Sequence, residues 1–279
     1  MSSANGKPAA NEGPFWTEPS FVNVDGLKTA YRRKGKGDIV LFFHGAGMTR
    51  TWLPFYESLS KSFDTIVPEH PGFGDTPMPQ TLEGFDDLVL HYDALIRNLG
   101  LDKPIHLVGH SLGGWIAANL AIFYPKRFAS LTLMQPMGIR SPDAPSGDPF
   151  RWEPQEAGEI LFSGAGANYG KYFEGGDPVE NAVRDYEESI TFARLAWNPR
   201  YDWRLDHRLA RIAIPTAAVG FEDDRFIPVA QTKRWAELIP GSEFVLLKGA
   251  NGEPASHLSN VQQPDKLAEI VKETAQRAA

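Results

Sequence analysis

Residues 106–121 read HLVGHSLGGWIAANLA. A mostly apolar run meets Gly109-His110-Ser111-Leu112-Gly113, and an apolar stretch of helical character follows without a break. This pattern predicts a buried strand over 104–109, a sharp turn at Ser111 and a helix over 112–124. A serine on such a turn is held in strained backbone at the top of a sheet, and small neighbours are needed to avoid clashes. Gly109 and Gly113 supply that room. The helix beginning at Leu112 points the positive end of its dipole at Ser111, which favours developing negative charge. Ser111 is therefore a candidate nucleophile; the alternative is a solvated serine in a glycine-rich turn.

Outward from this stretch, strands and helices alternate. FVNVDGLKTAYRRK (21–34) turns at Asp25-Gly26 and reads as a hairpin. DIVLFF (38–43) is a short continuous apolar run, as expected of a strand buried on both faces. A short helix over 52–60, a strand over 63–69 and a helix over 82–99 follow, then the opening stretch and a strand over 128–134. The alternation then lapses. Residues 137–207 are rich in Gly, Pro, Trp and acidic residues and too long for a plain loop. They read as an inserted, mostly helical lid. Strand and helix resume over 212–220, 229–238, 242–249 and 264–277. The fold class expected is α/β: a mainly parallel eight-stranded sheet flanked by helices, formed by 21–136 and 208–279, with residues 1–20 a disordered tail. In such sheets ligands bind at the carboxyl ends of the strands.

The chain has 279 residues, of which 42% are hydrophobic, enough for a sizeable core. It carries 28 Lys and Arg against 35 Asp and Glu, a net charge of −7, and no long basic run. A nucleic-acid partner is not expected. No apolar stretch reaches the roughly 20 residues that span a membrane. The polar N-terminus has no apolar core of a secretory signal. The absence of cysteine excludes disulfides and thiolate chemistry. A cytoplasmic protein is the expectation, and nothing in the sequence implies a cofactor.

Taken together, VGHSLGG, FFHGAG, EHPGFGDT, VGFEDDRFIP and ASHLSNVQQPDKL resemble, in this order, the signature segments of the α/β-hydrolase family. The resemblance covers roughly residues 21–278. SHLSNVQQP is similar to the histidine loop of enol-lactonases, and DDRFIP to the acid turn of hydrolases that cleave carbon–carbon bonds of ring-fission products. The resemblance implies a nucleophile elbow at Ser111, an oxyanion loop at HGAG, an acid turn and a histidine loop. Halide and epoxide chemistry on this fold uses an aspartate nucleophile, so Ser111 argues against it.

A serine hydroxyl needs a base within reach, and the base needs an orienting carboxylate. In this fold the chain order is serine, acid, histidine. His257 follows the last strand and is the candidate base. Glu222, Asp223 and Asp224 follow the strand ending at Gly220. Alignment on DDRFIP places the acid at Asp224, with Asp223 the alternative. Ser256 stands where the family pattern has glycine before the histidine, and NGEPA lengthens the approach. The oxyanion hole needs two backbone N–H groups. These are expected from Leu112 and from Ala46, with Gly47 the alternative to Ala46.

Gly45 and Gly47 let backbone approach a ligand closely. With them, His110 and Trp197 are candidate substrate contacts, though His110 also reads as a packing residue beside the elbow. Trp152, Trp203, Phe162, Tyr169 and Phe173 either line a pocket or form the lid's own core, and Arg140 and Arg194 could meet a substrate carboxylate. His106 and His110 lack a third ligand at plausible spacing, so no metal site is expected. GAGANYG (164–170) does not follow a strand and is not a dinucleotide loop.

The leading reading is a serine hydrolase of a small-molecule ester or lactone. The same triad would serve a carbon–carbon bond hydrolase. A ligand-binding protein on the same fold is the reading of another class, and retention of serine, acid and histidine argues against it. The sequence leaves a homo-oligomer open.

Overall fold

The computed structural model describes residues 15–172 and 176–278. Eight strands form one sheet: β1 (Ser20–Val24), β2 (Leu27–Lys34), β3 (Ile39–Phe43), β4 (Asp64–Pro68), β5 (Ile105–His110), β6 (Phe128–Met134), β7 (Thr216–Phe221) and β8 (Glu243–Leu247). Their order across the sheet is β1-β2-β4-β3-β5-β6-β7-β8. The β1–β2 and β2–β4 pairs are antiparallel; the remaining five are parallel. All residues of β3 and β5 are buried. Helices cover both faces, which is the physical reason β3 is apolar throughout and β5 is apolar apart from His106 and His110, rather than alternating. Those helices are α1 (Pro54–Ser60), α2 (Phe85–Asn98), α3 (Leu112–Phe123), α7 (Val229–Leu238), α8 (Ser259–Gln262) and α9 (Pro264–Gln276). The sequence expects a strand from residue 212; β7 starts at Thr216 instead. Residues Leu209–Arg211 form a 3₁₀ turn, and Pro215 has no N–H to give the ladder, although its carbonyl accepts from Leu131 N (2.9 Å).

Between β6 and β7 the described residues contain no strand of the sheet. This segment holds α4 (Pro154–Leu161), α5 (Pro178–Ala196) and α6 (Leu205–Arg208), with 3₁₀ turns at Pro149–Arg151 and Gly166–Tyr172. Asp177 caps α5, accepting from Val179 N and Glu180 N. The helix rests on the loop after β4: Thr191 Oγ1 donates to the Gly72 carbonyl at 3.0 Å. The tail expected at 1–20 lies outside the described residues up to residue 14. From Phe15 on, the chain is packed rather than disordered: Phe15 stacks on Tyr172 at 4.3 Å, and its carbonyl accepts from Trp52 N.

Register brings the strand ends that matter to one edge. Phe43 pairs with Gly109, His110 with Met134, Met134 with Val219 and Phe221 with Leu247. The loops after β3, β5, β7 and β8 therefore open side by side. No helix among the described residues is long and apolar enough to cross a membrane.

Candidate active site

Ser111 occupies the turn between β5 and α3 with φ 54° and ψ −116°. This is a conformation that L side chains rarely adopt, and it persists only where the surroundings over-determine it. Here they do. Ser111 N donates to the Met134 carbonyl (3.0 Å), and the Ser111 carbonyl accepts from Gly114 N (3.1 Å) and Met137 N (3.0 Å). Close approach explains the two glycines. A Cβ on Gly109 would overlap the Gly113 carbonyl, and one on Gly113 would overlap the carbonyls of Phe43 and His44. Leu112 is the first residue of α3, so its N–H has no acceptor within the helix. Ser111 Oγ has no hydrogen-bond partner among the described residues. Such bonds tighten when substrate binds.

Asp224 is tightly specified. Its Oδ1 accepts from Phe226 N (2.7 Å) and Ile227 N (3.0 Å), and its Oδ2 meets His257 Nδ1 at 2.7 Å. The carboxylate is fully buried and the imidazole nearly so. Asp223 points elsewhere: its Oδ2 accepts from Ala255 N (2.9 Å), and its own N–H donates to the Ala255 carbonyl (3.0 Å). Asp223 thus joins the acid turn to the histidine loop, while Asp224 holds the histidine. The extra residues before His257 close a tight turn. Ala250 and Glu253 pair with each other, and Asn251 and Gly252 take positive φ. With Nδ1 directed at Asp224, His257 keeps Nε2 for the cavity, which His257 and Ser111 both line. Gln135, which carries no signal in the sequence, braces the acid turn. Its Oε1 accepts from Phe221 N (3.0 Å) and Thr232 Oγ1 (2.8 Å), and its Nε2 donates to the Ile227 carbonyl.

The loop after β3 is held by a chain of neutral groups. His70 Nε2 lies 2.8 Å from the His44 carbonyl, so it must carry the proton, and His70 Nδ1 accepts from the Tyr92 hydroxyl. His44 Nε2 accepts from His70 N (3.1 Å), so His44 Nδ1–H donates to the Gly45 carbonyl (2.6 Å). The two imidazoles stack at 3.7 Å. Burial pushes His44 down to about 4 and His70 well below the usual histidine range, so both stay neutral. Their hydrogen bonds fix the peptide ahead of Ala46, which borders the cavity with Gly45 and Gly47. His110 also borders it but is committed to structure. Its Nε2–H donates to the His257 carbonyl (2.8 Å), and burial holds it neutral, well below its usual range.

The cavity has a volume of about 500 Å³. Trp152 and Phe226, packed edge to face at 5.0 Å, form part of its apolar wall. Glu188 of α5 enters it from the insertion. Thr49 Oγ1 (2.7 Å) and Gly74 N (2.8 Å) both donate to Glu188 Oε1. Burial pushes this carboxyl up to about 7, with Asp185 and Glu69 adding to the rise. Glu188 carries no sequence signal, being one of several acids on a polar helix.

Some expected contacts fall elsewhere. Trp197 is 63% exposed and borders a separate cleft with Arg140, Arg200 and Tyr201, so it does not meet the Ser111 cavity. It caps the C-terminus of α5, where the helix end turns outward. Arg140 belongs to that second cleft, Arg194 does not border the first, and Trp203 is 66% exposed. Phe162 and Tyr169 stack on each other at 4.7 Å and pack into the body. Phe173 lies outside the described residues. Among the described residues no group of three or more His, Asp or Glu is arranged to hold a metal ion.

Residues 40–270 match the model of the alpha/beta hydrolase family. The chain is 23% identical over 261 residues to a 2-hydroxy-6-oxo-6-(2'-aminophenyl)hexa-2,4-dienoic acid hydrolase of Metapseudomonas resinovorans, covering 89% of this chain and 87% of that one. It is 32% identical over 121 residues to the dihydrolipoyllysine-residue acetyltransferase component of an acetoin cleaving system of Cupriavidus necator. That match covers 43% of this chain and only 32% of the relative's length. Among solved structures, a thermophilic esterase from Thermogutta terrifontis superposes with a TM-score of 0.70 at 23% identity, over 94% of this chain and 99% of that one.

Proposed function

The chain belongs to the α/β-hydrolase family, and on that premise we propose that it is a serine hydrolase that opens a small carboxylic ester or lactone through an acyl-enzyme on Ser111. The observation that carries this reading is the pairing of Asp224 with His257 at 2.7 Å, beside a strained serine, in one cavity of about 500 Å³.

Ser111 Oγ attacks the carbonyl carbon while His257 Nε2 takes its proton. Asp224 stabilises the imidazolium and keeps Nδ1–H pointed at itself. Negative charge developing on the carbonyl oxygen is met by the N–H groups of Leu112 and Ala46. The imidazolium then protonates the departing alkoxide. In a lactone that alkoxide stays tethered to the acyl chain. Water deprotonated by His257 attacks the acyl-enzyme, and Ser111 leaves as the alcohol.

The relative named as a hydrolase of a dienoic acid supports a second reading, hydrolysis of a carbon–carbon bond by the same residues. The two readings separate by experiment. A burst of p-nitrophenolate equal to the enzyme concentration, with fluorophosphonate labelling lost in Ser111→Ala, is expected of an ester hydrolase. Turnover of a ring-fission diketone with negligible ester hydrolysis would transfer the assignment to the second reading. An unlabelled serine and undiminished Ser111→Ala turnover would end both.

A further inference from the structure

The reacting groups sit on the loops after the strands, but the insertion brings further ionisable groups to the cavity that have no part in the chemistry, Glu188 among them. Glu188 reaches in from α5. Both of its donors, the Thr49 hydroxyl and the Gly74 N–H, converge on Oε1. Oε2 has no partner among the described residues, and it is not among the buried side-chain atoms left without a hydrogen bond. It is therefore open to the cavity. Two of the basic groups at this end are already engaged. Arg50 Nε lies 3.0 Å from Asp75, and Lys171 sits over the Tyr172 ring at 5.4 Å. Burial raises the Asp185 carboxyl, and the charge of Arg184 beside it partly opposes that rise; both border the cavity.

We propose that Glu188 sets the substrate class of this site: its free oxygen accepts a hydrogen bond from a hydroxyl or ammonium group carried by the substrate away from the scissile carbonyl, and it rejects substrates with a carboxylate there. This rests on the hydrolase reading and sharpens it. Two donors fix the carboxyl plane and satisfy Oε1, which leaves Oε2 as an oriented acceptor. A donor from the substrate completes it. A substrate carboxylate would instead meet the like charge of the ionised Glu188. Burial opposes ionisation of Glu188, the bonds from Thr49, Gly74 and a substrate donor offset that cost, and the ratios are read at about pH 8, where the carboxyl is ionised.

The test uses two ester series bearing H, OH or COO⁻ at the para position: p-nitrophenyl 3-phenylpropanoates for the acyl side and benzyl acetates for the alcohol side. The readout is the ratio of kcat/KM within each protein. A hydrogen bond to a charged acceptor is worth about 10- to 100-fold. The wild type should prefer OH over H by that factor in at least one series and prefer H over COO⁻. Glu188→Gln keeps an oxygen for Thr49 and Gly74 but presents an NH₂ group where Oε2 stood. Its OH-over-H ratio should fall to a few-fold at most, because a neutral amide replaces the charged acceptor, and the COO⁻ ester should recover.

Wild-type ratios near one in both series overturn the proposal whether or not the variant folds. Ratios unchanged in a folded Glu188→Gln protein do the same. A p-nitrophenyl acetate burst on Ser111 alongside such ratios leaves the hydrolase reading standing while this one falls. If no burst occurs, titration calorimetry of the methyl 3-phenylpropanoates decides: a hydroxyl preference lost in Glu188→Gln supports the proposal, and equal affinities overturn it.

Discussion

Replacing Ser111 by glycine should stabilise the protein while abolishing its activity. Ser111 is held at φ 54° and ψ −116° by four backbone hydrogen bonds, to Met134 and from Gly114, Trp115 and Met137. None of these involves the side chain, so all survive the substitution. A non-glycine residue in such backbone costs about 1–3 kcal/mol, which glycine does not incur. Against this, glycine gives the unfolded chain more freedom, at about 0.4–1 kcal/mol. Ser111 Oγ has no partner among the described residues, so its removal orphans no buried group. The expected net gain is roughly 0.5–2 kcal/mol. It is read as a higher urea midpoint at unchanged slope, or as a melting temperature raised on the order of 2–4 °C per kcal/mol. Ser111→Ala is the control. It removes the hydroxyl but keeps Cβ, so the strain remains and no gain is expected. A Ser111→Gly protein no more stable than Ser111→Ala would refute the argument that the elbow stores backbone strain.

Asp224→Asn should lower kcat on the order of 10⁴-fold by removing the partner that fixes the His257 tautomer; Asp223→Asn, whose side chain holds Ala255 N–H instead, should keep at least about a tenth of wild-type kcat. Gly45→Ala would place a Cβ 3.2 Å from His110 Nδ1 and 3.3 Å from Ser111 Cβ, displacing the loop that carries the Ala46 N–H. A 10²–10³-fold loss of kcat with unchanged circular dichroism is expected, the scale of one lost oxyanion donor. Glu188 is raised from 4.5 to about 7 in the folded protein, so the native state holds this proton more tightly than the unfolded chain. Its contribution is complete below pH 4.5 and is lost as pH rises through about 7. Glu188→Gln cannot ionise, so its stability advantage over wild type should grow from near zero at pH 4.5 to at most about 3 kcal/mol at pH 8, measured by urea midpoints.

The sheet was legible because its central strands are buried on both faces, which forces continuous apolar runs such as IVLFF in β3. Ser111 was legible because crowding demands glycine on either side, and crowding is a local property that sequence records. Asp224 and Asp223 are not distinguished by residue type. Two identical side chains stand side by side, and the difference lies in a turn that aims one at His257 and the other at Ala255 N–H. Trp197 misled because aromatic character says nothing about which end of α5 faces the cavity. Glu188 and the Tyr92–His70–His44 chain left no trace at all, since each depends on contacts between residues far apart in sequence.

That histidine chain bears on why one imidazole alone can serve as the base. Four histidines crowd the strand ends, and three are locked out of proton transfer by what they touch. His44 and His110 each spend a ring N–H on a backbone carbonyl, Gly45 and His257 respectively. His70 gives one to the His44 carbonyl and has its other nitrogen filled by the Tyr92 hydroxyl. Burial lowers all three, so that none is charged near neutrality. Of the four, only His257 has a carboxylate among its described partners, and that carboxylate is itself held by two backbone N–H groups. Protonating any other ring would leave a buried cation without a counter-charge. In the proposed mechanism a proton leaving Ser111 therefore has one favourable destination, and His110 works to the same end by holding the His257 carbonyl in place.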